Sequence, residues 1–277
     1  MFQRRFYLIL LFFSFCISSV YAQYRTKEEI EEYFEEESLF SIYKDNYFIS
    51  GIPIDTGIEK TNADIKYQLS VRQRLTRKSL PWNTQLYMSY TQKAFWHIWA
   101  RSSPFEEIVF NPTIAVQKPL FNSRNEVNSL ATLVLEHQSN GRDSIQSRSW
   151  NMVKLSYLRR ISEKTLVGAE VWTPFWYHED NPDILDYVGT YKLRLVHEII
   201  PNKLNVDVHL QKGLKWNWNG VARTRLFYSP FKKTNQYLML EWYIGYGESL
   251  LDYDEFRNRI RIGYVIKTND FNFLKKK

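Results

Sequence analysis

The chain has 277 residues, 17% of them aromatic, a formal net charge of +7 and a mean hydropathy of −0.43. So many large rings exclude intrinsic disorder, and the negative hydropathy excludes a polytopic helical membrane protein, whose spans would each need about 20 apolar residues. A globular domain or a β-rich membrane protein is left, and the length suits a single unit, since all-β barrels run to ~250 residues as one domain.

Residues 1–22 read as a secretory signal: Arg4 and Arg5 form a positive start, Phe6 to Val20 is apolar, and Val20-Tyr21-Ala22 supplies the small residues of a cleavage site. The apolar run falls short of the ~20 residues an anchor helix needs. Cys16, the one cysteine, lies within it, so cleavage after Ala22 leaves no thiol and excludes disulfides and cysteine catalysis. Loss of Arg4 and Arg5 lowers the net charge to +5 over 255 residues. Residues 23–43 then hold Glu28, Glu29, Glu31, Glu32, Glu35, Glu36 and Glu37 against Arg25 and Lys27, a local net of −5, and are expected to form a solvated acidic arm. The remainder, 44–277, is basic at +10. For an exported protein that balance points to an anionic lipid surface and not to nucleic acid.

From residue 44 onward the recurring signal is period-two alternation over ~10 residues, the mark of a strand with two unlike faces. Leu204, Val206, Val208 and Leu210 interleave with Asn205, Asp207, His209 and Gln211; Ile260, Ile262, Tyr264 and Ile266 oppose Arg259, Arg261 and Gly263. Twelve such segments follow in order, near 44–52, 63–74, 83–95, 107–117, 127–137, 150–160, 165–177, 187–197, 203–212, 221–229, 237–246 and 258–267. An even count, and about 21 residues per strand with its connection, predict an all-β fold: a 12-stranded antiparallel transmembrane β-barrel over 44–277. Aromatic clusters at Phe95, Trp96 and Trp99 and at Trp172, Phe175, Trp176 and Tyr177 are expected to form interfacial girdles. A soluble β-sandwich also alternates, but these strands are longer than its usual five or six residues. Arg223, Arg225, Arg259 and Arg261 either line an anion-selective lumen or pair with Glu and Asp in a plugged one. Twelve strands leave little room for a pore, which favours the plug.

The densest polar run is Glu136-His137-Gln138-Ser139-Asn140-Gly141-Arg142, followed by Ser147-Arg148-Ser149-Trp150-Asn151. By parity Val127, Ala131, Leu133, Leu135, His137 and Ser139 share one face, and Asn151 shares the face of Val153, Leu155 and Tyr157. The His, Ser and Asn thus continue the apolar faces, which in a barrel with a polar interior look out at lipid. His137 and Ser139 at i and i+2 are same-face neighbours, and Asn151 returns on the adjacent strand, giving the nucleophile, base and orienter of a serine hydrolase. The plain alternative is a hairpin whose Asn140-Gly141 merely turns the chain.

This run resembles the outer-membrane phospholipase A family of Gram-negative bacteria. Further matching blocks are Ser89-Tyr90-Thr91-Gln92-Lys93, Ser102-Ser103-Pro104-Phe105, Asp180-Asn181-Pro182-Asp183-Ile184 and Gly245-Tyr246-Gly247-Glu248-Ser249-Leu250, in family order. The resemblance implies a twelve-stranded barrel in the cell outer membrane that hydrolyses acyl esters of phospholipids and lysophospholipids, depends on calcium and acts as a homodimer. It implies Ser139 as nucleophile, His137 as general base, Asn151 as its orienter and the Gly141 N–H in the oxyanion hole. It implies a calcium ion held by the Arg142 carbonyl, Ser147, an acidic group of this loop and Ser102 of the partner subunit. Where the family has Ser-Asp after Arg142 this chain has Asp143-Ser144, so the carboxylate is displaced by one residue and either position is a candidate ligand. The chain also departs in ending on Lys275-Lys276-Lys277 after Phe273 and Leu274. Gln92 is a candidate dimer contact if it faces lipid, or a lumen residue if it faces inward. A non-catalytic porin or structural barrel is the second function class.

Overall fold

The structure is a computed structural model that describes residues 24–231 and 234–268. The expected signal segment and the Lys-rich end lie outside these residues. The strands are β1 (Phe40–Ile42), β2 (Asn46–Pro53), β3 (Asp64–Arg74), β4 (Gln85–Trp96), β5 (Phe105–Phe121), β6 (Val127–Ser139), β7 (Ser149–Ser162), β8 (Thr165–Phe175), β9 (Tyr191–Ile200), β10 (Leu204–Lys212), β11 (Gly220–Tyr228), β12 (Gln236–Gly245) and β13 (Arg257–Ile266). Each of β3 to β13 pairs antiparallel with the next, and β2 closes the ring against β13 and β3. The short β1 lies on β3 at Phe40↔Gln73, beyond the β2 pairing at Tyr47↔Gln68, so β1 and β2 are one interrupted strand and the barrel has twelve. The predicted segments match these strands within a few residues. The largest excess is β5, and β9 starts late because Leu185–Val188 forms a short helix, α2.

The alternation does what periodicity demands of a membrane strand. Leu133 and Leu135 on β6 are 53% and 50% exposed, whereas Val134 between them is 3% exposed. Parity also corrects the girdle expectation: Phe95 and Trp172 are buried on the lumen side with Lys93 and Glu170, while Trp99 and Trp176 are exposed. Val127, expected to face outward, is buried because the β5–β6 register shifts between Leu120 and Phe121.

The lumen is filled by ion pairs. Lys66 Nζ lies 2.7 Å from Glu241 and 3.0 Å from Glu248, Arg261 reaches Asp64 at 2.7 Å and Glu248 at 2.6 Å, and Asp207 takes Arg225 and Arg194, each at 2.9 Å. Arg259 pairs with Asp64 and Arg223 contacts His209, so all four arginines singled out by sequence are engaged. Such pairs add little net stability when made, because desolvation offsets attraction, but removal of one partner strands a buried charge. Replacing Arg261 by Ala should therefore destabilise the barrel by about 3–5 kcal/mol, measured by denaturant unfolding in lipid vesicles.

The acidic segment is not a solvated arm. Lys27–Glu36 forms a helix, α1, opened by a capping box in which Thr26 and Glu29 satisfy each other's backbone N–H groups. Its Ile30 and Phe34 are buried against Val127, Leu166 and Val196, so the glutamates surround an apolar stripe that plugs the barrel at the end with short turns. Arg72 and Arg74 on β3 bind Glu37 and hold the helix end in place.

Candidate active site

The long connections 54–63, 97–104, 140–148, 176–190, 213–219 and 246–256 gather at the opposite end of the barrel, and the candidate site lies just below them on the outer wall. β6 and β7 pair at His137↔Asn151 and Ser139↔Ser149. This register puts His137 Nδ1 2.9 Å from Asn151 Oδ1. Val153 and Leu155, in the parity of Asn151, are 45% and 51% exposed, so the pair continues the lipid-facing surface as expected. Ser139, half-buried, shares that face two residues from His137; among the described residues its hydroxyl makes no hydrogen bond to the imidazole. The Asn151 contact engages Nδ1 and leaves the ring's other nitrogen, Nε2, outside that hydrogen bond.

The following loop is organised by Asn140, which the sequence marks only as half of an Asn-Gly turn signal. It is buried, donates from Nδ2 to the Gln146 carbonyl at 2.8 Å, and accepts on Oδ1 from the Arg142 and Arg148 N–H groups at 3.2 and 3.1 Å. Gly141 follows with φ +64°, in the left-handed region that favours glycine, under the Phe110 ring of β5. The Arg142 guanidinium is tied to the Glu106 carbonyl and to Gln146 Oε1, and Ser144 donates to Asp143 Oδ1. Asp143, Ser144 and Ser147 thus stand together in one exposed to half-buried loop. Ser102 sits apart in the 97–104 loop with φ +68°. Gln92 faces outward, in the parity of the exposed Met88 and Tyr90, and accepts from the Tyr90 hydroxyl at 3.2 Å.

Two of the matching blocks outside the site, Asp180–Ile184 and Gly245–Leu250, make contacts that brace it. Asp180 accepts from the Ser149 hydroxyl at 2.7 Å and Asn181 donates to the Ser149 carbonyl at 2.6 Å, so the 176–190 loop clasps the head of β7. Asp183 accepts from Tyr253 at 2.6 Å; burial, and then this carboxylate, push the Tyr253 phenol well above its ordinary range and keep it a donor. Glu107 on β5 receives the Leu250 N–H at 2.7 Å, fixing the 246–256 loop overhead.

The family model for phospholipase A1 matches residues 22–266. The chain belongs to the phospholipase A1 family. It is 34% identical to phospholipase A1 of Salmonella typhimurium over 215 residues, 75% of this chain and 70% of that one, and 33% identical to the Escherichia coli K12 protein over the same shares. The solved outer membrane phospholipase A from Escherichia coli superposes with a TM-score of 0.73 at 27% identity, over 86% of this chain and 97% of that one. A Salmonella typhi outer membrane phospholipase, solved as a dimer with bound calcium, gives 0.73 at 28% identity over the same shares. The barrel is an outer-membrane phospholipase of a Gram-negative bacterium, an ester hydrolase. Family membership and the filled lumen, which retains an interior cavity of ≈ 360 Å³, both weigh against an open pore.

Proposed function

We propose that this phospholipase is exported by residues 1–22 and, after cleavage at Ala22, hydrolyses acyl esters of phospholipids and lysophospholipids at both glycerol positions through Ser139, His137 and Asn151. The observation that carries the reading is the 2.9 Å contact between His137 Nδ1 and Asn151 Oδ1 on a lipid-facing wall that also holds Ser139. The amide oxygen of Asn151 accepts a hydrogen bond from Nδ1–H, which leaves Nε2 unprotonated and ready to act as base. Nε2 takes the Ser139 proton as Oγ attacks the ester carbonyl carbon. The C–O bond to glycerol then breaks, the imidazolium returns its proton to the leaving alkoxide, and the acyl group stays on Ser139. Water, deprotonated by the same imidazole, attacks the acyl carbon, the bond to Oγ breaks as the fatty acid leaves, and the imidazolium returns its proton to Ser139. The Gly141 N–H, exposed in its left-handed turn, supports the oxyanion in both steps.

A neutral Asn stabilises the imidazolium less than a carboxylate would, so a further positive charge at the oxyanion has a clear use. The loop offers only oxygen donors, and among the described residues no group of three or more His, Cys, Asp or Glu gathers to hold a metal. Carbonyl, hydroxyl and carboxylate oxygens suit calcium. The Arg142 carbonyl, the Ser147 hydroxyl and Asp143 would hold it, with Ser144 beside the carboxylate and Ser102 of the partner subunit completing the set. Bound there, calcium would supply charge that polarises the ester carbonyl. Gln92, a polar side chain on a surface built for lipid, would lie in the homodimer contact.

Calcium titration of esterase activity in detergent tests this reading. Wild-type activity should rise to saturation, and Asp143→Ser should raise the half-saturating concentration about tenfold, equivalent to ~1.4 kcal/mol of binding. Ser144→Ala should shift it far less. Full activity of wild type in excess chelator would overturn calcium dependence, and a shift confined to Ser144→Ala would move the ligand to that residue.

A further inference from the structure

The β5–β6 ladder is broken opposite the candidate base. Pairing holds at Phe110↔Ser139 and resumes at Thr113↔Glu136, leaving Asn111 and Pro112 to face Gln138 and His137 without ladder pairing. The cause is covalent, since proline has no N–H to donate. A strand carbonyl left without a donor in a membrane wall would be an unsatisfied polar group with no water to turn to.

A side chain fills the gap from inside the barrel. Asn111 is buried, and its Nδ2 donates to the His137 carbonyl at 2.7 Å. The same amide is oriented by Lys44, whose Nζ donates to Asn111 Oδ1 at 3.3 Å. With its oxygen held by an ammonium, the amide presents its nitrogen to His137. Both residues line the interior cavity, on the opposite side of the wall from the catalytic face.

We infer that Asn111, oriented by Lys44, is a positioning residue for His137: it replaces the hydrogen bond that Pro112 cannot give and fixes the backbone from which the imidazole is aimed at Ser139. This inference rests on the assignment of His137 as general base. The ring is fixed at two points, by Asn151 at Nδ1 and by Asn111 at the main chain. Loss of the second frees the backbone of β6 to shift by a fraction of an ångström, and a misplacement of about 1 Å can cost 10²-fold in rate. The effect should fall on kcat and spare KM, because Asn111 touches no substrate.

The test compares Asn111→Asp, which keeps the size and the Lys44 contact but has no N–H, with the same change in a Pro112→Ala background, where residue 112 regains its backbone donor. Each is assayed on phospholipid in mixed micelles at saturating calcium, and folding is checked by heat-modifiable mobility. Asn111→Asp should lose about tenfold in kcat with KM within about twofold. Asn111→Asp/Pro112→Ala should return to within about threefold of Pro112→Ala alone. If Asn111→Asp does not fold, Asn111→Ala with and without Pro112→Ala gives the same comparison. A kcat for Asn111→Asp within about twofold of wild type, or a loss that Pro112→Ala leaves unchanged, would overturn the inference. Activity that survives Ser139→Ala would instead overturn the parent reading, whatever Asn111 does.

Discussion

Replacing Ser139 by Ala should lower fatty-acid release from phospholipid in mixed micelles by on the order of 10⁴-fold or more, with the barrel still folded. The two halves of that expectation have separate physical grounds. On the proposed mechanism, loss of Oγ removes the atom that forms the acyl-enzyme, and solvent water lacks both its position and its base. The fold should not notice, because Ser139 is half-buried at the end of β6, its hydroxyl makes no hydrogen bond among the described residues, and the ladder to Ser149 uses backbone atoms alone. A loss of activity accompanied by loss of heat-modifiable mobility would instead mark Ser139 as structural.

Gly141→Ala should lower kcat by about 10²–10³-fold, the scale on which loss of one oxyanion donor acts. The residue's φ of +64° already disfavours any side chain, and a Cβ there would lie 2.8 Å from Cε2 of Phe110. Phe110 belongs to β5 and cannot retreat without disturbing the wall beside Ser139, with which it pairs. The loop must therefore move, and the Gly141 N–H with it. The double variant Gly141→Ala/Phe110→Ala relieves the contact but not the dihedral, so it should recover only part of the loss. Full recovery would show that the ring, and not the turn, sets the geometry. Measured kcat and KM for the three proteins decide between these.

Parity made the wall legible in sequence. Alternation of Leu133 and Leu135 with Val134 and Glu136 needs only the two-residue period of a strand, and it places His137, Ser139 and Asn151 on the outer face. The same rule, applied to single rings and not to whole strands, would have sent Phe95 and Trp172 inward; proximity to a strand end misled where parity was available. The α1 plug was also readable. Ile30, Tyr33 and Phe34 are spaced as a helical stripe and Thr26 to Glu29 is a capping box, but a net of −5 masked both. Asn140 and Asn111 could not have been found this way. Their roles depend on carbonyls and N–H groups brought near by the hairpin and by the neighbouring strand, and an asparagine near a glycine or a proline carries no such message on its own.

The proposed function stands on a nucleophilic serine, activated by His137, on the outer wall of this barrel. Its most direct test is mass spectrometry of the folded protein after treatment with a long-chain alkyl fluorophosphonate in detergent, with calcium present. One adduct is expected, on Ser139, and it should fail to form in His137→Ala. Labelling of a different serine, or labelling of Ser139 that is indifferent to His137, would contradict it.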